Sequence, residues 1–324
     1  MQITRVLPKD AIESIDDPSF SESYAGDSND EVIVVEPAGE QARAYPVLIL
    51  NYHEIVNDRI GSDPIAVTWC PLCGSGIVYD RTVDDRVLTF GVSGKLADDD
   101  LVMYDRETES EWKQSTGACI AGSHSGTTLD VLPAAMTTID RFREHHPGLV
   151  LEPPSGDHSI VKADEEARSI SAETTRIDYT VDHFAEYVEG DWLGSRSREQ
   201  PRAWDRDDLP AKEVVLGIEI GDEALGIPHS HVGTNDVVSL TVGTQSVVVL
   251  EADGHLSAFI DPGVSFTLEG NGRYAGDGTN WDGATGHADD GRSLERLPTR
   301  RMFAFAWQAD HGEDAFYMNT TDSE

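Results

Sequence analysis

Ile65-Ala66-Val67-Thr68-Trp69-Cys70-Pro71-Leu72-Cys73-Gly74-Ser75-Gly76-Ile77-Val78-Tyr79-Asp80-Arg81 carries the most structural information in this chain. Two runs rich in β-branched and apolar residues, Ile65–Trp69 and Ile77–Arg81, flank a turn made of proline, glycine and two cysteines. In a thioredoxin-like motif the second cysteine runs into a helix, whose N-terminus lowers the thiol pKa. Here glycines and a β-branched run follow Cys73, so the segment reads as strand, knuckle, strand. Both sulfurs then turn into one concavity suited to a soft or borderline cation.

Strands joined by so short a turn are antiparallel, because parallel neighbours need a long crossover. The runs Val32–Glu36, Ala42–Tyr45, Val87–Val92 and Leu101–Asp105 extend the pattern. Short helices are predicted at Pro46–Asn57, Ala134–His145 (closed by Pro147) and Val181–Glu189. The expected class is α+β, β-dominated, with largely antiparallel sheets. Aligned with itself at an offset of 182, the chain superposes Val32-Ile33-Val34 on Val214-Val215-Leu216, Pro46 on Pro228, and Ile65-Ala66-Val67 on Val247-Val248-Val249. This predicts two pseudo-repeated halves, 30–148 and 212–317, after an N-terminal extension 1–29. A connector with one helix, 149–211, joins the halves, and 318–324 forms a tail.

Sixty acidic residues against 24 basic ones leave a net charge of −36 over 324 residues, with only five lysines. Such a surface is the composition of proteins from salt-accumulating cells, where salt screens the self-repulsion. It offers no basic stripe for nucleic acid or an anionic membrane. No apolar run approaches the length of a membrane span, and Met1-Gln2-Ile3-Thr4-Arg5 lacks the order of a signal peptide, so a soluble, cytoplasmic protein is expected. The acidic runs Asp98-Asp99-Asp100 and Asp205-Arg206-Asp207-Asp208 read as solvated surface.

The knuckle supplies two thiolates, Cys70 and Cys73, while a zinc site needs three or four ligands. His53, on the helix before the strand, is the best third candidate; its other reading is a hydrogen-bonded helix histidine. Cys119 and His124 are weaker, Cys119 reading better as a small buried apolar residue. Positions 53, 70 and 73 correspond at the same offset to Asn235, Ala252 and His255, so the site belongs to the first half alone. His229-Ser230-His231 is a weak metal pair. Trp69, Trp112, Trp281 and Trp307 read as core. No Walker loop, dinucleotide loop, Gly-x-Ser-x-Gly elbow or His-Glu-x-x-His pair is present, so no nucleotide is expected. The expectation is a metal-binding protein, with zinc or copper on Cys70, Cys73 and His53, or a thiol-redox protein using the Cys70/Cys73 pair. The alternative is a non-catalytic binding module in which the knuckle staples the fold and a cleft between the halves takes a small molecule or protein.

The runs Ala44–Asp58 and Ala66–Gly74, with Leu88–Leu96 and Asp100–Trp112, closely resemble the domain-of-unknown-function family numbered 3179. The resemblance runs from about Leu7 to Tyr317 and is looser from Ala211 on. His53, Cys70, Cys73 and Trp112 match the family pattern; Cys119 does not belong to it. The resemblance implies a shared fold and a shared site, and no established activity.

Overall fold

A computed structural model describes residues 1–146, 148–156, 158–164, 169–194, 202–232 and 237–318. Pro147 and Asn235 lie outside the described residues. The first strands, β1 (Glu31–Val35) and β2 (Arg43–Pro46), pair antiparallel and lead into α1 (Val47–His53). Pro46, with its fixed φ, opens α1, and Glu54 ends it at φ +58°. Then come β3 (Ile55–Ile60), β4 (Asp63–Cys70) and β5 (Ser75–Asp80), each paired with the next across a tight connection. A second group contains β6 (Phe90–Ala97), β7 (Asp100–Asp105) and β8 (Glu111–Lys113). Next stand β9 (Ala135–Thr138) and α2 (Ile139–His145).

Several boundaries differ from expectation: the helix expected at Pro46–Asn57 ends at His53, where Ile55–Asn57 joins β3, and the one expected at Val181–Glu189 starts at Ala185. Ala135–Thr138 is not helical but pairs with β1, and α2 starts only where the Thr138 hydroxyl caps the Arg141 N–H at 3.3 Å. The run expected at Val87–Val92 becomes β6, which starts at Phe90. The connector carries more than its helix α3 (Ala185–Glu189): Leu149–Leu151 pairs with β2, and Ser159–Asp164 forms a hairpin with Ser169–Arg176.

The later chain gives β10 (Val214–Ile220), β11 (Glu223–Pro228), β12 (Val237–Val242), β13 (Gln245–Ala252) and β14 (His255–Ile260). It closes with β15 (Arg300–Phe303) and α4 (Ala304–His311). Among the described residues every strand ladder is antiparallel except Leu149–Leu151 with β2. The architecture is therefore β-dominated, as the strand runs imply, with four short α-helices among the described residues. The largest sheet has the order β11-β10-β15-β5-β4-β3 and takes strands from both ends of the chain. Arg301 of β15 stands opposite Gly76 of β5 at the seam.

One core cluster straddles that seam. Ile55, Cys70, Cys73, Tyr79, Met103 and Trp112 pack with Val215, Met302, Phe305 and Trp307, and Leu193 and Leu209 of the connector close over them. All four tryptophans assigned to the core are buried. Burial of such side chains is worth about 1.5–3 kcal/mol each, so the two ends of the chain are stabilised together. No helix among the described residues is long and apolar enough to cross a membrane.

Candidate metal centre

The knuckle is held from three sides. At its base Cys70 pairs with Ser75, and Pro71-Leu72-Cys73-Gly74 make the reversal. Gly74 has φ +55°, and a Cβ there would stand 2.7 Å from the Phe303 ring, so only glycine fits. Below it, Gln114 is wholly buried: it accepts from Ser75 Oγ at 2.6 Å and donates to Thr68 Oγ1 at 2.9 Å. From β15, the Phe303 N–H donates to the Cys73 carbonyl at 2.8 Å, and Arg301 Nη1 donates to the Gly74 carbonyl. The result is a rigid pair of sulfurs, Cys70 being 2% and Cys73 0% exposed.

The third group comes from the β6–β7 hairpin. Cys70, Cys73 and Asp100 each offer one ligand atom, and these three atoms lie within 4.8 Å of one another. This is the one such group of three or more His, Cys, Asp or Glu among the described residues. The reading of Asp98-Asp99-Asp100 as solvated surface is thereby corrected for its last member. Asp98 and Asp99 adopt φ +53° and +73°, the backbone of a tight hairpin turn, and Asp100 becomes the first residue of β7, a strand buried along its whole length. Asp100 Oδ2 accepts the Ser115 N–H at 2.7 Å; Oδ1 is buried with no hydrogen-bond partner among the described residues.

Charge around the group is dense. Burial pushes the Asp100 carboxyl up to about 7; Lys113 opposes this and Asp310 adds to it. Lys113, itself buried, forms an ion pair with Asp310 of α4 and stands 3.8 Å from Asp98 Oδ2. Burial works against its charge, yet the surrounding carboxylates hold its pKa above the ordinary lysine value. The Glu54 carboxyl is pushed up to about 8, by burial first and then by the charge of Asp100. A hydrogen bond shared with Cys70, then burial, then the charges of Cys70, Asp100 and Asp310 raise the Cys73 thiol well above its usual range. Cys73 Sγ donates to the Asp99 carbonyl at 3.4 Å. A buried thiol raised in this way, as Cys73 is, lacks the low pKa and exposure of redox-active cysteines. Two sulfurs and an unpartnered carboxylate oxygen make a group that could hold a metal ion.

The connector roofs the site. The Tyr187 hydroxyl donates to the Leu72 carbonyl at 2.6 Å and accepts the Gly194 N–H at 2.9 Å. Arg202 Nη1 reaches the Asp98 carbonyl at 3.1 Å and Asp99 Oδ2 at 3.3 Å.

His53 is not brought into the group. Its Nδ1 bonds the Glu13 carbonyl at 2.7 Å and its Nε2 the Tyr179 hydroxyl at 2.6 Å, so both nitrogens are occupied, and the ring stacks on Tyr179. Cys119 is buried in a separate strand with its thiol directed to the Ala121 carbonyl at 3.3 Å, and His124 lies against the Trp112 ring. His229 and His231 form a short 3-10 turn and diverge: His229 faces Glu251 at 4.0 Å, while His231 bonds the Tyr317 carbonyl at 2.9 Å. Sequence reasoning missed Asp100, Lys113 and Gln114. The available signal was a carboxylate opening a strand, Asp100–Asp105, whose neighbours are apolar on both faces.

The chain belongs to the family described as "Protein of unknown function (DUF3179)", whose model matches residues 9–314. No curated protein and no solved structure matches it.

Proposed function

We propose that this member of the family is a metal-binding protein in which Cys70, Cys73 and Asp100 hold one borderline divalent cation, zinc in preference to copper. The observation that carries the reading is Asp100 Oδ1, buried beside two thiols without a partner among the described residues. Leaving such an oxygen unpaired costs about 1–3 kcal/mol, more when the group is charged. A cation removes the cost and drives deprotonation of both thiols. The oxygen donor among the sulfurs favours zinc, since copper(I) selects all-soft sets. Three protein ligands leave a fourth position, and the roof over the site makes the cation first of all a link between the knuckle and the β6–β7 hairpin. His53, with both nitrogens engaged, acts in this reading as an anchor for the N-terminal segment at Glu13.

The test is elemental analysis of untagged protein purified in high salt, with a thiol count before and after reduction. About one zinc per chain, lost in Cys70→Ser and in Asp100→Asn, is the expected result. A metal-free protein with three free thiols throughout would sink the proposal. Two thiols that appear only after reduction would move the site to dithiol chemistry, for which the proximity of the two sulfurs is the supporting observation.

A further inference from the structure

A cleft of about 100 Å³ lies at the seam between β1 and β9 on one side and β10 and the β13–β14 turn on the other. Ile33, Met136, Leu216 and Leu256 give it apolar walls, and Arg301, His255 and Glu31 converge at one place. Arg301 is held rigidly: its guanidinium lies over the Trp69 and Phe303 rings, and Nη1 is fixed on the Gly74 carbonyl. Its Nη2 makes no hydrogen bond among the described residues, and Glu31 Oε1 stands 3.9 Å away. The same Glu31 oxygen is 3.8 Å from His255 Nε2, again too long for a hydrogen bond. One carboxylate oxygen thus sits loosely between two donors, on a side chain that is 40% exposed. Pairs of that kind contribute about 0–1 kcal/mol, so Glu31 is easily displaced.

We propose that this cleft binds a small aliphatic carboxylate, whose head group takes the place of Glu31 between Arg301 Nη2 and His255 Nε2 while its hydrocarbon lies on Ile33, Met136, Leu216 and Leu256. The fit follows from the chemistry on each side. A pre-positioned guanidinium suits a planar carboxylate, and the free edge of an imidazole adds a second donor. A metal cation is disfavoured, because the permanently charged Arg301 faces the same point. The open space matches about three water-sized groups, which limits the buried part of the chain to a few carbons. None of the three cleft residues is a ligand of the centre proposed above, so either proposal can fail alone.

Titration of butyrate into the full chain at fixed high salt, followed by the His255 ring proton shifts and by calorimetry, tests the proposal; butylammonium is the charge-reversed control. Saturable binding of butyrate and none of butylammonium is expected, with affinity raised about tenfold in Glu31→Gln and lowered about tenfold in His255→Gln and Arg301→Lys. Because Arg301 also holds the knuckle, His255→Gln serves as the variant that leaves Gly74 untouched. Absence of saturable binding in both the natural chain and Glu31→Gln overturns the proposal. So does binding that His255→Gln and Arg301→Lys leave unchanged. Metal content measured on the same samples keeps a loss of the cation from being read as a loss of the cleft.

Discussion

The sequence offset of 182 sets the hairpin β4–β5 against the hairpin β13–β14, and the two turn differently. Residues 63–70 of β4 correspond to residues 245–252 of β13, end for end. In the second hairpin Ala252 pairs with His255 across Asp253 and Gly254, at φ +51° and +80°, a two-residue turn that leaves no room inside. In the first, Cys70 pairs with Ser75 and four residues make the reversal, so two sulfurs are gathered in a concavity. Two extra turn residues separate a plain corner from a candidate metal centre. The plain corner is not idle, since its His255 lines the seam cleft.

Substitutions can break or sharpen this contrast. Cys70→Ser or Asp100→Asn should weaken the cation at least about 100-fold, more than losses at supporting residues usually cost, whereas His255→Ala should leave metal content intact; chelator competition followed by elemental analysis distinguishes them. Equal loss in all three would abolish the contrast. Between the turn glycines, Gly74→Ala meets both a positive φ and the Phe303 ring and should cost about 3–4 kcal/mol. Gly254→Ala has the positive φ and open space around it and should cost about 1 kcal/mol, read from urea unfolding.

The Asp-x-x-Thr turns at Asp105 and Asp282 give an effect between those of the two glycine substitutions. Asp105 accepts the Thr108 N–H at 2.6 Å, and Asp282 accepts the Thr285 N–H at 2.8 Å. Asp282 also faces Arg141 at 2.8 Å and His145 at 3.1 Å. Burial raises its pKa, but these partners outweigh it and hold the carboxyl well below the usual range. A depressed folded pKa contributes stability above the unfolded value near 3.9 and loses it as pH falls below that value. Asp282→Asn should therefore cost about 2–3 kcal/mol at neutral pH, and the difference from the natural chain should vanish in acid; a constant difference across pH would assign the effect to packing. Cys119→Ala should cost about as little as Gly254→Ala, about 1 kcal/mol, and leave metal content unchanged, because its thiol lies outside the group of three.

Much of the fold was legible because its signals are local. Pro46 at the head of α1, glycines after Cys73 and β-branched runs of four to six residues mark helix start, reversal and strands without reference to distant chain. The boundary at Ala134–His145 was misread because Ala135–Thr138 answers to its neighbour β1 rather than to its own helix propensity. His53 was placed near the knuckle by chain proximity, but a helix ending at Glu54 with φ +58° sends its ring toward Glu13 and Tyr179. Asp100 was hidden in an acidic run because composition averages over residues that a hairpin turn then sorts: Asp98 and Asp99 stand half-buried beneath Arg202, and Asp100 is fully buried in β7.

From the amino-acid order alone came the antiparallel class, the strand-knuckle-strand segment and the pair Cys70/Cys73, since each depends on backbone conformation within a few residues. Asp100 beside the two sulfurs, Asp310 paired with Lys113, and Arg301 on the knuckle at the seam depend on contacts between residues about 30 to more than 200 positions apart. Such contacts form only when the strands of one sheet share a core, and no local preference encodes which distant side chain will then face which.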